Sequence, residues 1–290
     1  MKKQSIFLFF LILFVTCATS ATPIIAAYFG IWANKSWPER FRTDFPVKKI
    51  NRLYIAFGKI VRLPDGHFTV GIDGDVAHVG CLVGAMHYRN PTAEILLTVG
   101  GSDAQNSYGG AANDPEFSNN VLQILDHYGL NGFDIDWENN LNKDDLNRLV
   151  TQMHAVLHAH NDQLTLDVWP YPMNAYDMPT LQKNVNQINI MSYGTGLPLD
   201  RCVNAYTEAG FPANQIIGGI ETETGYNQFG GVTDTLGSSG SIVQKADYAL
   251  SHNLAGMMSW RLDNDYTTLD QPTYPTYQGA ITLWDAMHQL

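Results

Sequence analysis

"LNGFDIDWENN" (residues 130–140) sets three carboxylates at alternate positions, Asp134, Asp136 and Glu138. Between them stand Phe133, Ile135 and Trp137, the apolar and aromatic types that strands favour. Strand side chains alternate between two faces, so the acids share one face and the apolar residues the other. Acids are poor strand formers, and like charges on one face repel. A solvated edge strand would tolerate such a face, but a closed parallel barrel has no edge strand. The neighbouring segments decide between the two.

Eight runs rich in Ile, Leu, Val and aromatics, bounded by Gly, Pro or Asn, read as strands. They are "IIAAYFGIW" (24–32), "INRLYIAFG" (50–58), "EILLTVGGS" (94–102), "GFDIDWE" (132–138), "LTLDVWP" (164–170), "INIMSYG" (188–194), "QIIGGI" (215–220) and "LAGMMSW" (254–260). Helical stretches fall between many of them. "PEFSNNVLQILDHYG" ends at Gly129, a typical stop. "NKDDLNRLVTQMHAVLHAH" opens on Asn142 as a cap and buries Leu146, Leu149, Val150, Met153, Val156 and Leu157 along one stripe. "PLDRCVNAYTEAGF", "GSIVQKADYALSHN" and "TYQGAITLWDAMHQL" repeat the pattern. Strands alternating with helices eight times indicate an α/β fold, a single (β/α)8 TIM barrel over residues 22–290.

The length of 290 residues suits one large barrel with its own core. The basic start Met1–Lys3 and the apolar run 6–15, followed by small residues, read as a signal peptide over 1–21. As a membrane anchor the run is short of the ~20 residues a span needs. In a lipoprotein reading Cys17 would carry the lipid, but Phe14, Val15 and Thr16 match that poorly. Cleavage near Ala21 gives a secreted protein, extracellular or periplasmic, with no membrane contact afterwards. Removing Lys2 and Lys3 leaves 15 basic against 28 acidic residues, a net charge near −13. That balance argues against nucleic acid and anionic membranes as partners and fits a neutral ligand. A monomer is expected. Export permits a disulfide between Cys81 and Cys202, and the sequence leaves open whether they meet. The nine His are scattered and no CxxC or HExxH spacing occurs, so neither a metal site nor a cofactor is expected.

In a barrel of this kind the active site lies at the C-terminal ends of the strands. The acid face of 132–138 then points inward and climbs roughly 6.5 Å per step to Glu138 at the mouth. Buried like charges must share protons or find partners. Sharing between the aspartates would ease the repulsion. Crowding by Asp136 and partial burial would raise the pKa of Glu138, as a general acid requires.

The stretch "GFDIDWE" resembles the DxxDxDxE signature of glycoside hydrolase family 18, the chitinases and endo-β-N-acetylglucosaminidases. "LLTVGG" resembles the family's SxGG strand with Thr98 for Ser, and "MSYG" its MxY(D/N) strand. "GMMSW" is similar to its last strand and "AAYFGIW" to its first, all in family order. The resemblance implies a retaining endo-glycosidase that cuts β-1,4 bonds between N-acetylglucosamine units. It implies catalytic roles for Glu138, Asp136, Asp134 and Tyr193. Glu138 would be the acid, and the substrate's own acetamido oxygen the nucleophile, so this family departs from the two-carboxylate scheme. Asp136 would hold the acetamido N–H, Asp134 would share a proton with Asp136 or orient it, and Tyr193 would bind the acetamido oxygen. Trp260, Tyr28, Gly100, Gly101, Met191 and Trp169 are the substrate-binding candidates. The partner is an N-acetylglucosamine-containing polysaccharide or glycan. Each has a plainer reading as well: Tyr193 and Trp260 as core, Gly100 and Gly101 as relief of crowding. Trp32 and Tyr171 lie near strand ends and are as compatible with packing as with a sugar subsite.

The chain departs from the pattern in four places. Asn131 replaces the first Asp, which alters proton sharing beneath Asp134. Asn139–Asn140 follow Glu138 where an aromatic and Pro are usual. Gly194 replaces the polar residue beside Tyr193. The segment between "QIIGGI" and "LAGMMSW" has no room for an α+β insertion, which implies an open groove. Two other readings compete. One is a noncatalytic lectin on the same barrel. The other is a two-carboxylate glycosidase, with Asp167 or Glu221 as second acid.

Overall fold

The computed structural model describes residues 22–32, 46–72, 76–102, 107–193, 196–226, 231–267 and 275–288. Nine strands form one sheet: β1 Ile24–Gly30, β2 Arg52–Arg62, β3 Phe68–Ile72, β4 Glu94–Gly100, β5 Gly132–Asp136, β6 Gln163–Val168, β7 Gln187–Ile190, β8 Ile216–Glu221 and β9 Gly256–Trp260. Eight of them run parallel in the order β1-β9-β8-β7-β6-β5-β4-β2, and a β1–β2 pairing closes the ring. The helices are α1 Val76–Arg89, α2 Tyr108–Ala112, α3 Phe117–Tyr128, α4 Lys143–His160, α5 Met178–Asn184, α6 Leu199–Glu208, α7 Ser241–Ser251 and α8 Gln278–Met287. This is the expected TIM barrel, and all eight expected strands are barrel staves. No helix among the described residues is long and apolar enough to cross a membrane. The expected signal peptide, with Cys17, lies outside the described residues.

The two faces of β5 divide as the alternation requires. Phe133 and Ile135, with Trp137 just beyond the strand, join the apolar layer between sheet and helices. Asp134 and Asp136 turn inward and are buried. The strand ends at Asp136, so Glu138 stands two residues past it rather than on it. Likewise β7 ends at Ile190, and Met191–Tyr193 leave the sheet.

The helix signals have their expected physics. Asn142 Oδ1 accepts from the Asp144 and Asp145 amides, satisfying two donors of the first turn of α4. Leu146, Leu149, Val150, Met153 and Leu157 are buried, while Val156 is only half-buried. Gly129 closes α3 at φ 66°, a left-handed cap suited to Gly.

The sequence pattern passes over four elements. In α1, Gly80 and Gly84 weaken the helical signal. The helices α2 and α5 span only five and seven residues. The strand β3 forms a hairpin with an extended β2 across Pro64-Asp65-Gly66, a turn sequence with Gly66 at φ 97°. Cys81 is exposed on α1, Cys202 is buried on α6, and both are free thiols.

Replacing Asn142 by Ala removes the α4 cap and should cost about 1 kcal/mol. Urea unfolding of the two proteins should show a lower midpoint at equal slope; equal midpoints would mean that the cap contributes nothing.

Candidate active site

The barrel interior is built in tiers. At the N-terminal end, buried Arg52 of β2 donates to Glu94 Oε2 of β4 (2.8 and 2.5 Å) and to Gln187 Oε1 of β7 (2.8 Å). A guanidinium can only donate. Arg52 Nη1 therefore donates to the Tyr54 hydroxyl (3.3 Å), which donates to Asn189 Oδ1 (3.3 Å). Asn189 Nδ2 donates to the Tyr28 hydroxyl (2.8 Å), and Tyr28 donates to Asp167 Oδ1 (2.5 Å). The rings of Tyr28 and Tyr54 stack at 4.4 Å, 13° from parallel. The polarity of this chain is set from below and ends on a carboxyl.

Asp134 sits in the same tier. Its Oδ2 accepts from Thr98 Oγ1 (2.9 Å) and lies 3.2 Å from the Tyr28 hydroxyl. Its Oδ1 accepts from Thr165 Oγ1 and from Asn189 Nδ2 (3.3 Å). Burial pushes the Asp134 carboxyl up, while these donors and the Asp167 carboxyl, also in hydrogen-bond contact, pull it down. The carboxyl bonded to Asp134 is thus Asp167 of β6. The register sets Asp134 beside Thr165, and Asp167 stands one inward step further along β6.

Asp136 lies above. Burial, then the charges of Glu138 and Asp134, raise its carboxyl well above the usual range. Its Oδ1 is buried without a hydrogen-bond partner. The β4 backbone comes close here. Gly101 N–H donates to the Asp136 carbonyl (3.0 Å), and a Cβ on Gly100 would stand 1.8 Å from that oxygen. Gly100 and Gly101 also have φ of 129° and 94°, which only glycine adopts readily. A Cβ on Gly101 would meet the Phe57 ring at 2.9 Å. Both glycines therefore hold β4 against Asp136 and Phe57.

Glu138 is half-buried at the mouth, and its backbone carbonyl accepts from Trp169 Nε1 (3.4 Å). Tyr193 is buried, with its ring edge-on to Tyr226 at 6.3 Å. It fits because β8 carries Gly219, where a Cβ would lie 2.7 Å from Tyr193 Cε1. Burial and the Glu221 charge raise the Tyr193 hydroxyl well above its ordinary value. Met191 packs beside it on the inner apolar cluster with Trp260. Trp260 faces Tyr28 (5.7 Å), Phe57 (5.9 Å) and Trp32 (6.3 Å). Trp32 is 52% exposed and is covered on one face by the Arg261 guanidinium at 4.6 Å.

The structure thus brings Asp134, Asp136, Glu138, Tyr193, Met191, Trp260, Gly100, Gly101 and Trp169 to one end of one barrel. Three expectations need correction. Tyr28 is enclosed beneath Trp260 with its hydroxyl committed to the acids, so it belongs to their support rather than to a sugar surface. Asn131 does not alter proton sharing beneath Asp134: its Oδ1 accepts from Ile95 N–H (2.9 Å), pinning β5 to β4 at the strand entrance. Asp167 is not at the mouth but bonded to Tyr28 inside the barrel, which removes it as a second catalytic acid. Gly194 lies outside the described residues.

Glu221 is a different matter. It ends β8 beside Trp260 of β9, wholly buried, with Oε1 on the Glu223 amide (2.7 Å) and Oε2 without a partner. Burial is the main cause that raises it to about 9. A carboxyl protonated at neutral pH is no nucleophile. The signals for Thr165, Asp167, Asn189 and Glu221 were present as polar residues at inward positions of apolar strands, but one strand alone does not say which face is inward.

The profile described as glycosyl hydrolases family 18 matches residues 24–234. The chain belongs to that family. A class V chitinase from Nicotiana tobaccum superposes with a TM-score of 0.73 at 15% identity, covering 92% of this chain and 99% of its own. YKL-39, solved in the presence of chitooligosaccharides, gives 0.74 at 16%, covering 92% and 100%. A chitinase-like agglutinin from Robinia pseudoacacia gives 0.70 at 16%, covering 91% and 99%. No curated protein sequence matches.

Two outcomes follow from the geometry. Between pH ~4.5 and ~9 folded Glu221 holds a proton that the unfolded chain releases, so stability falls as pH rises, by up to about 1.4 kcal/mol per unit. Glu221→Gln should flatten that slope in thermal melts; an unchanged slope would show that Glu221 is ionised. Gly219→Ala should displace the Tyr193 ring and lower Tm; a variant with wild-type Tm and tyrosine spectrum would show that the ring is not seated there.

Proposed function

We propose that this protein is a secreted, retaining endo-glycosidase that hydrolyses β-1,4 bonds between N-acetylglucosamine units by substrate-assisted catalysis. The observation that carries the reading is Asp136. It is a buried carboxyl with an unpartnered oxygen, set between the anchored Asp134 and Glu138. A buried polar atom without a partner is costly, and a ligand group that completes it is bound strongly for that reason. The N–H of a 2-acetamido group is such a donor.

In this reading Glu138 gives its proton to the glycosidic oxygen as the bond to the anomeric carbon breaks. The acetamido carbonyl oxygen attacks that carbon from the other face, forming an oxazolinium ion. Asp136 accepts from the acetamido N–H through its open Oδ1 and, with the anionic Asp134 beneath it, stabilises the developing positive charge. The Tyr193 hydroxyl donates to the acetamido oxygen and sets its angle, and burial keeps that hydroxyl protonated. Trp260 offers its face to the sugar, with Phe57 and Tyr28 fixing the ring from behind. Water then opens the oxazolinium, giving its proton to Glu138, and the configuration is retained.

Chito-oligosaccharides are the favoured substrates, as the chitinases among the structural neighbours suggest. The step from Glu221, the end of β8, to Ser241, the start of α7, leaves no space for a walling subdomain. That favours an open groove and mid-chain cleavage, and it also suits the chitobiose core of N-glycans. The agglutinin neighbour keeps a second reading in view, a lectin on the same barrel.

Fluorogenic chitobioside and chitotrioside, beside a high-mannose glycopeptide, separate these readings. Wild type should release product, and Glu138→Gln should lose about 10²–10⁴-fold in kcat while its affinity for the oligosaccharide changes little. Release from the glycopeptide alone would make the substrate an N-glycan core. Binding without turnover in wild type would establish the lectin. Secretion is tested on the same preparation: the mature protein should begin near residue 22.

A further inference from the structure

Asp167 is a buried carboxyl to which the reaction above gives no role. It projects from β6 beside Asp134: the Tyr28 hydroxyl lies 2.5 Å from Asp167 Oδ1 and 3.2 Å from Asp134 Oδ2, and a hydrogen bond from Asp167 pulls the Asp134 carboxyl down. Ionised carboxylates only accept, so two in contact need a proton between them. The surroundings decide which one holds it. Asp134 receives Thr98, Thr165 and Asn189, three donors from β4, β6 and β7. That many donors fit an anion. The Tyr28 proton can serve one acceptor, and at 2.5 Å against 3.2 Å it serves Asp167. Asp134 Oδ2 is then left to Thr98 and to a proton from Asp167.

We infer that Asp167 is a positioning residue of the acid network: it stays protonated through the working range and donates to Asp134, holding Asp134 as the single anion of the pair. The titratable groups within electrostatic reach of Asp167 agree. They are Tyr28 of β1, Tyr54 of β2, Asp134 and Asp136 of β5, Tyr108 of α2, Tyr176 after β6 and Tyr193 after β7. All are acids or phenols. Among the described residues the one cation near this stack, Arg52, lies a tier lower and is paired with Glu94. Burial and the charges of Asp134 and Asp136 push Asp167 well above the ordinary carboxyl range. With Asp167 neutral, the charge beneath Asp136 is fixed at one unit, and that charge helps keep Asp136 protonated.

For its kinetic consequence the inference rests on the proposed hydrolysis; for its protonation state it does not. The test therefore has two arms. In the ligand-free protein, infrared difference spectra at neutral pH should show one protonated carboxyl band lost in Asp167→Asn. Persistence of every such band would mean that Asp167 is ionised, and would overturn the inference whether or not the protein cleaves sugars. In the kinetic arm, Asp167→Ala leaves Asp134 short of a donor, so Asp134 takes up a proton and its charge under Asp136 is lost. The basic limb of kcat/KM should move toward acid by about one unit, a tenfold loss at fixed pH on that limb. Asp167→Asn, which still donates to Asp134, should restore the wild-type limb. Equal profiles for Ala and wild type, or failure of Asn to restore the limb, would reduce Asp167 to packing. If Asp167→Ala does not fold, the spectra and the Asn profile still decide. If wild type has no turnover, the hydrolase reading fails and the infrared arm stands alone.

Discussion

Asp134 is fully buried, and its two oxygens are held by side chains that arrive from β4, β6 and β7, with Tyr28 of β1 in reach. A carboxylate taken out of water needs such donors, since its desolvation otherwise costs several kcal/mol. No one strand can supply them. A closed ring can, because every stave presents an inward face to the same axis. The barrel and the acid therefore require each other: closure brings the donors, and the donors make the acid tolerable. The arrangement above Asp134 follows. Its charge acts on Asp136, and Asp136 stands under the mouth where Glu138 emerges.

The polar chain below the acids has a direction. Arg52 cannot accept, so Tyr54, Asn189 and Tyr28 each donate a hydrogen bond upward, the last to a carboxyl. Such oriented networks rigidify a core when every member is satisfied. Asp136 Oδ1 and Glu221 Oε2, at the ends of β5 and β8, are among the buried oxygens left without partners. The apolar scaffold outside the ring, with Phe133 and Ile135 turned toward the helices, bears the stability that lets these two remain incomplete.

Much of this was legible from residue order. The eight staves, the Asn142 cap and the Gly129 stop are local events, set by alternation and by backbone donors within one turn. The acid ladder was legible because alternation puts Asp134 and Asp136 on one face whatever lies opposite. Its partners were not. Thr165 and Asn189 look like ordinary polar interruptions of β6 and β7, Asp167 reads as a candidate second acid, and only the register Asp134↔Thr165 and Asp167↔Asn189 makes them neighbours of Asp134. Asn131 misled for the same reason. Its place in the signature suggested a role in the ladder, yet its contact is the Ile95 amide across the strand pair.

The sequence by itself determined the fold class, the inward face of β5 and the family, because periodicity and signature residues act over a few positions of one chain segment. The tertiary structure alone decided which carboxyl meets which. Ring closure brought Asp167 and Asp134 to one Tyr28 hydroxyl, left Asp136 Oδ1 open and buried Glu221 beside Trp260. Proton positions in such a cluster depend on distances between groups 30 to 160 residues apart, as in the Thr165–Asp134 and Asn189–Tyr28 contacts with separations of 31 and 161. Those distances are properties of the closed ring, since no segment of the chain carries them before the ring is formed.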